Sequence, residues 1–315
     1  MICFDIKDID FQEVISRDYD ICIFSTGYEK RARFLLSKIY KNILPKIPIK
    51  ICFSFSDYED LFDRKINDAL FSENNFETLN VDKYIYGEIS RKLKERLNKF
   101  NFCGRPVKIL IDYTVMRRGW YSEVLQFFNM LSEDGINILI TFSYTCGSYI
   151  GKKELKIVKD YALVPGFEGV GSQKKEKFGV YSLGFEPISV QSLHDWVEPS
   201  EVSCIVANPG AKEGSGDKCL KLNKSFIEEF SDEVIETPLS SVRNYCDLLT
   251  DIIKQKSYLY DIVLFGGGPK PFVLGNFLCS LLRPTISNIY INGPESNPIN
   301  VESAGSFVIT DMQFN

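Results

Sequence analysis

Short apolar, β-branched runs alternate along this chain with longer amphipathic stretches, the pattern of α/β folds built on mainly parallel strands. In a first series the runs predict strands at Asp20–Ser25, Ile49–Ser54, Val107–Tyr113 and Ile136–Tyr144. Helices are expected between them at Lys30–Lys41, Tyr84–Asn98 and Gly119–Asp134. The alternation lapses between Gly147 and Phe178, where basic residues flank the glycine-rich string VPGFEGVGS, which reads as a linker. A second series follows, with strands expected at Phe178–Leu183, Val202–Ala207, Glu233–Thr237, Ile262–Phe265 and Ile286–Ile291 and a closing strand near Ser306–Thr310. Its helices are expected at Ile188–Trp196, Val242–Lys256 and Pro271–Leu282. The prediction is two Rossmann-like α/β domains with mainly parallel sheets, residues 1–174 and 175–315.

A length of 315 residues is about twice the usual single domain, so each half is long enough for its own core. The formal charge of −5 argues against sequence-independent coating of nucleic acid, which needs a basic surface, though a local basic pocket remains open. Asp5, Lys7, Asp8 and Asp10 interrupt the first residues, so no signal peptide is expected, and no apolar stretch is long enough to span a membrane. A cytoplasmic protein is the expectation. The nine cysteines contain no C-x-x-C pair, and Cys22 and Cys204 sit inside strand-like runs, which points to buried thiols rather than disulfides or zinc ligands. With His194 as the single histidine, zinc chemistry and histidine triads have little to draw on, and no metal is expected. His194 itself reads as a packed or surface helix residue, and Lys152, Lys153, Lys156 and Lys159 as a solvated helical face.

The strongest chemical signal is YDIVLF, then the turn Gly266-Gly267-Gly268-Pro269-Lys270-Pro271, then the apolar stretch FVLGNFLCSLL. In a strand-turn-helix context, glycines let backbone amides approach an anion while the helix amino end adds its dipole. Lys270 would pair with a phosphate, and Pro271 fits the first helical turn. The spacing is neither G-x-G-x-x-G nor a P-loop, so no dinucleotide or other cofactor is indicated; a tight turn without ligand is the plainer alternative.

FGGGPKPF resembles the glycine-lysine turn of the CARF domains, the CRISPR-associated Rossmann folds that bind cyclic oligoadenylates in prokaryotic antiviral defence. Gly267, Gly268 and Lys270 match that turn, while Pro269 stands where threonine is typical. The resemblance covers about 140 residues, from VYSLGFEP through SCIVANPG to the glycine turn. It implies that Gly184, Phe185 and Glu186 face the lysine turn across a ligand, although a carboxylate at Glu186 would repel phosphate. Asn208-Pro209-Gly210 and Asn292-Gly293-Pro294 would line the same pocket, or serve as ordinary turns.

In the first half, KILIDY leads into Thr114-Val115-Met116-Arg117-Arg118, and IFSTGYEKRARF carries Glu29 and Arg31 beyond another strand. If these strands are neighbours, the turns share one carboxyl edge. Asp112 and Glu29 would then be paired carboxylates, Arg31 and Arg117 anion clamps, and Thr114 a further ligand contact. The alternative is a helix N-cap by Asp112 or Thr114 with solvated arginines. Three functions follow in order: a sensor of a phosphorylated nucleotide, cyclic or not, acting with other defence-system subunits or as a homo-oligomer; a non-catalytic scaffold; and an enzyme on nucleotides or nucleic acid using Asp112, Glu29 and Arg117.

Overall fold

The computed structural model describes residues 4–82, 85–100, 102, 104–148, 161–172, 174–291 and 298–314. Cys3, Cys103, the lysines at 152, 153, 156 and 159, and Asn292-Gly293-Pro294 lie outside them. The chain forms two compact units, Met1–Tyr149 with Ile299–Asn315, and Ile150–Pro298.

The first unit runs β1 (Phe4–Asp8), α1 (Phe11–Ile15), β2 (Ile21–Thr26), a 3-10 turn (Lys30–Arg33), α2 (Phe34–Ile39), β3 (Ile49–Phe55), α3 (Arg64–Glu73), β4 (Glu77–Val81), α4 (Glu88–Leu97), β5 (Val107–Asp112), α5 (Arg118–Glu133) and β6 (Ile138–Gly147). The second runs β7 (Tyr161–Leu163), β8 (Glu176–Ser182), α6 (Pro187–Val197), β9 (Glu201–Ala207), α7 (Ser215–Leu222), α8 (Lys224–Phe230), β10 (Glu233–Thr237), α9 (Val242–Lys256), β11 (Tyr260–Gly266), α10 (Lys270–Leu281) and β12 (Ser287–Ile291). The last strand, β13 (Ser303–Phe314), returns to the first unit.

Both sheets are mixed but mainly parallel. The first has the order β1-β13-β6-β5-β2-β3-β4 and the second β10-β9-β8-β11-β12-β7. Within each lie five parallel strands in Rossmann order: the leading strand, β2 or β8, is extended on one side by two strands, after which the chain crosses to its other side. The switch points therefore lie between β2 and β5 and between β8 and β11, where open sheets hold ligands at the carboxyl ends.

Two boundaries differ from the sequence reading. β13 was expected to close the second series, but it pairs antiparallel with β6 and β1 in the first sheet. Apolar patterning specifies that a strand is buried and leaves its partner open, because any sheet edge with a matching face satisfies it. The glycine-rich string assigned to a linker packs in the second unit. There Phe167 stacks on Phe277 of α10 at 5.0 Å, Val170 N–H donates to Pro284, and Gly169, at φ +73, lies so close to Ile286 and Ser287 that a β-carbon would sit 2.6 Å from their backbone. The packing thus carries the second unit upstream of residue 175, to include β7. Cys22, Cys52, Cys146 and Cys204 on strands and Cys219, Cys246 and Cys279 on helices are buried thiols, in line with the reading of the cysteines as buried. His194 packs its ring against Phe226 and Phe230 on α8. Among the described residues no helix is long and apolar enough to cross a membrane.

Candidate functional site

At the switch point of the second unit two backbone turns meet. β8 ends at Ser182 and continues through Leu183, Gly184 and Phe185 into α6; β11 ends at Gly266 and continues through Gly267, Gly268 and Pro269 into α10. The strands are in register from Tyr260↔Glu176 to Gly266↔Ser182, so both turns leave the sheet at one level. Ser182 Oγ donates to the Phe265 carbonyl at 2.8 Å and ties the strand ends together.

The closeness explains the glycines. A β-carbon on Gly184 would lie 2.7 Å from the Gly267 carbonyl oxygen, and one on Gly268 would lie 3.1 Å from the carbonyls of Ser182 and Leu183. Backbone cannot yield as a side-chain tip does, so residues without a β-carbon are required. Gly184 is also held from behind: its carbonyl accepts from Asn223 Nδ2 at 2.9 Å and from Cys219 Sγ at 3.3 Å. Burial among apolar neighbours pushes the Cys219 thiol up to about 12, which keeps it protonated as that weak donor.

Lys270 is the first residue of α10, with Pro269 at the N-cap and Pro271 in the first turn. Twelve residues of helix thus present their amino end beside the touching turns. The switch point also receives Phe185, whose ring lies 6.0 Å from Lys218 Nζ of α7, and Glu186, which N-caps α6 without a side-chain capping bond. Asn208, at the end of β9, is engaged elsewhere: its amide donates to Glu236, and α7 packs so tightly on it that a β-carbon at Gly216 would lie 2.4 Å from Asn208 Cγ.

The first unit places β2 beside β5, in register from Ile21↔Ile109 to Ile23↔Ile111, so the Glu29 and Asp112 turns do leave neighbouring strands. A β-carbon at Gly27 would make ordinary contacts, 3.6 Å to Phe55 and 3.7 Å to Val115 of the β5 turn. Tyr28 is raised to about 12 by burial first and then by Glu29 and Asp57, with Arg117 close enough to oppose them.

This edge is made of side chains. On the face that carries Cys22, Phe24, Cys52 and Leu110 into the apolar core, the register sets Thr26 beside Ser54 and Asp112 beside Ser143, and alternation adds Thr114 and Thr145. All six are buried. Thr26 donates to Asp68 at 2.6 Å; Arg64 holds Asp68 through Nε at 2.8 Å and donates through Nη2 to Ser54 at 2.6 Å. Asp112 Oδ1 accepts from Thr114 N–H at 2.9 Å, and Thr114 Oγ1 accepts from Thr145 N–H at 2.8 Å. The helix N-cap is Arg117, not Asp112 or Thr114, and it makes no side-chain capping bond.

Glu29 and Arg31 are paired with each other. Arg31 Nε donates to Glu29 at 2.6 Å, while Nη1 donates to Tyr144 Oη at 3.0 Å and to the Thr145 carbonyl at 3.3 Å. Burial works against the Arg31 charge, but Tyr144 and Glu29 outweigh it and its pKa is raised, so this is a fixed cation. Glu29 therefore faces a guanidinium in this structure.

The sequence reading passed over the residues that hold these turns. Asn67 on α3 donates to the carbonyls of Gly27 and Glu29 at 2.7 and 3.0 Å and accepts from Arg33. Asp63 joins Arg33 to Asn300, whose side chain also accepts from Lys30 N–H. Arg64, Asn67 and Asp68 have the i, i+3, i+4 spacing of one helical face, a signal present in DRKIND. Asn223 and Cys219, four apart, show the same spacing in the second unit.

No family model and no curated protein matches the chain. Among solved structures, a Type III CRISPR defence DNA nuclease activated by cyclic oligoadenylate is similar with a TM-score of 0.57 at 9% identity, over 88% of this chain and 67% of that one. The cytoplasmic domain of a prokaryotic cation chloride cotransporter is matched over 92% of this chain and 98% of its own, at 8% identity and a TM-score of 0.26, too low to bear on the fold. The first likeness is one of fold, and it agrees with the Rossmann-like α/β architecture that the sequence suggested.

Proposed function

We propose that this chain is a nucleotide-sensing component of a prokaryotic antiviral defence system, whose second unit binds a phosphorylated nucleotide at the Gly266–Pro271 turn. The observation that carries the reading is the contact of Gly184 with Gly267 and Gly268 beside the amino end of α10. A turn needed only to reverse the chain does not require backbone-to-backbone contact at a switch point. Glycines at such a place also let backbone amides come close to a phosphate. Lys270 supplies the charged partner. A cyclic oligoadenylate is the first ligand to test, since the similar nuclease is activated by one. Pro269 has no N–H to offer and Glu186 is anionic, so this site recognises fewer phosphate oxygens than a threonine-containing turn would. Occupancy would be relayed to other defence subunits or to a second copy of the chain.

Calorimetric titration of the full chain with mononucleotides, dinucleotides and cyclic oligoadenylates tests this. Saturable binding to one class is expected, weakened about tenfold in Lys270→Ala, the loss of one charge-assisted contact. Binding that Lys270→Ala leaves unaltered would remove the turn from the site.

A further inference from the structure

In the first unit, Ser143 and Thr145 lie in the carboxyl half of β6, the strand beside β5, with Ser143 in register with Asp112 and the Thr145 N–H bonded to Thr114. Both side chains are fully buried, and their hydroxyl oxygens have no hydrogen-bond partner among the described residues. Buried hydroxyls are nearly always satisfied, so two unsatisfied donors two residues apart on one strand call for an acceptor that the described residues do not supply. Arg31, starting beyond β2, reaches the same strand: its Nη1 donates to Tyr144 Oη and to the backbone carbonyl of Thr145, across β5, the strand between. The sixteen-residue helix α5 begins six positions after Asp112, at the same edge, with its amino end lacking a side-chain cap. Guanidinium, hydroxyls and helix amino end all favour an anion. The anion that Arg31 holds here is its own neighbour Glu29, at 2.6 Å.

We infer that this edge is a second ligand site, taking a small phosphorylated sugar such as a nucleoside monophosphate, whose phosphate displaces Glu29 from Arg31 while a sugar hydroxyl donates to Asp112. Glu29 is then an internal stand-in that keeps the guanidinium paired when no ligand is bound. Its side chain is the more exposed of the two, 19% against 10%, and Arg31 is also tied to Tyr144 and Thr145, so Glu29 is the partner able to leave. The inference is independent of the glycine turn in the second unit.

Trp120, in the first turn of α5 and stacked on Phe55 at 4.3 Å, is a built-in reporter, and Trp196 is the chain's other tryptophan. The test titrates the full chain carrying Trp196→Phe and Lys270→Ala with adenosine monophosphate, following Trp120 emission, with inorganic phosphate as competitor and circular dichroism to verify folding. A saturable change that phosphate reverses is expected. Adding Glu29→Gln should tighten it about tenfold and adding Arg31→Lys should weaken it about tenfold. A purely structural ion pair predicts the opposite for Glu29→Gln, since neutralising it would loosen the turn and help no ligand. Glu29→Gln leaves the bonds of Arg31 to Tyr144 and Thr145 in place, so that arm decides the matter even if Arg31→Lys does not fold. No response to millimolar nucleotide in folded protein, or no tightening with Glu29→Gln, overturns the inference. If Lys270→Ala alone abolishes all nucleotide binding, this site fails and the glycine-turn reading stands; if it changes nothing while Arg31→Lys removes binding, the outcomes are reversed.

Discussion

Between β8 and β11 the two turns are in contact through their backbones, Gly184 against the Gly267 carbonyl; between β2 and β5 the corresponding turns stand at ordinary van der Waals distance and are fastened through side chains. The topology is the same, five parallel strands with the crossing after the third. The materials are not. In the second unit, Asn223 and Cys219 grip a carbonyl from beneath and leave the upper surface to peptide groups. In the first, buried Arg31, Arg64 and Asn67 with half-buried Glu29 and Asp68 fill the edge with charge and amide. A backbone-built crevice suits a ligand recognised by its phosphates, which amides bind without regard to what is attached. A side-chain-built edge is costlier to assemble, because each buried polar group must be matched, and it selects more narrowly.

Four substitutions and conditions probe the difference. The largest effect is expected for Arg64→Leu, which removes the buried guanidinium that joins Ser54, Asp68 and the carbonyls of Phe55 and Asp57. A loss of about 3 kcal/mol in chemical denaturation of the first unit is expected, somewhat less than for a fully buried pair because Asp68 is partly solvated. Next comes Gly184→Ala, whose β-carbon would meet Gly267 oxygen at 2.7 Å; a destabilisation of about 2 kcal/mol, in the range of overpacking, should accompany loss of nucleotide binding. The matched change Gly27→Ala finds its nearest neighbours at 3.6 Å and should shift stability by less than about 1 kcal/mol. Equal costs for these two alanines would erase the distinction between the turns.

The smallest effect concerns Asp63. Its hydrogen bond from Asn300, followed by that from Arg33, holds its carboxyl below the ordinary value of 3.8, against the opposing effect of burial. A carboxyl with a lowered folded-state pKa stabilises the fold above its unfolded pKa and loses that contribution as pH falls through the folded value. Asn300→Leu should therefore lower stability modestly at pH 7, where the held carboxylate contributes, and converge on the unsubstituted protein in acid, so that the acid limb of the stability profile below about pH 4 is flatter. An unaltered acid limb would show that Asp63 is held by Arg33 alone.

Much of this architecture is legible in the sequence, and the exceptions share a cause. The strands β2, β3, β5, β6 and β8 to β12 are short apolar runs between polar turns, and patterning finds them. The arrival of Gly184 beside Gly267 follows from two strand-turn-helix units in one parallel sheet. What patterning misses is either polar in composition or set by pairing. α3 and α7 have few apolar positions, RKINDALFSE and SGDKCLKL, and they are helices whose value lies in Arg64, Asn67, Asp68 and Cys219. β13 carries a strand pattern that says nothing of which sheet takes it, and its place beside β6 depends on chain distant in sequence. Glu29 and Arg31 were expected near one another at the sheet edge but not as partners of each other, because a two-residue spacing in a turn has no fixed geometry.

The central claim is that the backbone of the touching turns in the second unit holds the phosphate of a nucleotide. The direct measurement is an amide spectrum of full-length protein labelled with 15N-glycine, assigned at Gly184, Gly267 and Gly268 and titrated with cyclic oligoadenylates and linear nucleotides. The account predicts that these three amides shift together and saturably with one ligand class while Gly27, in the first unit, does not follow them. Saturable binding that leaves Gly184, Gly267 and Gly268 unmoved would contradict it.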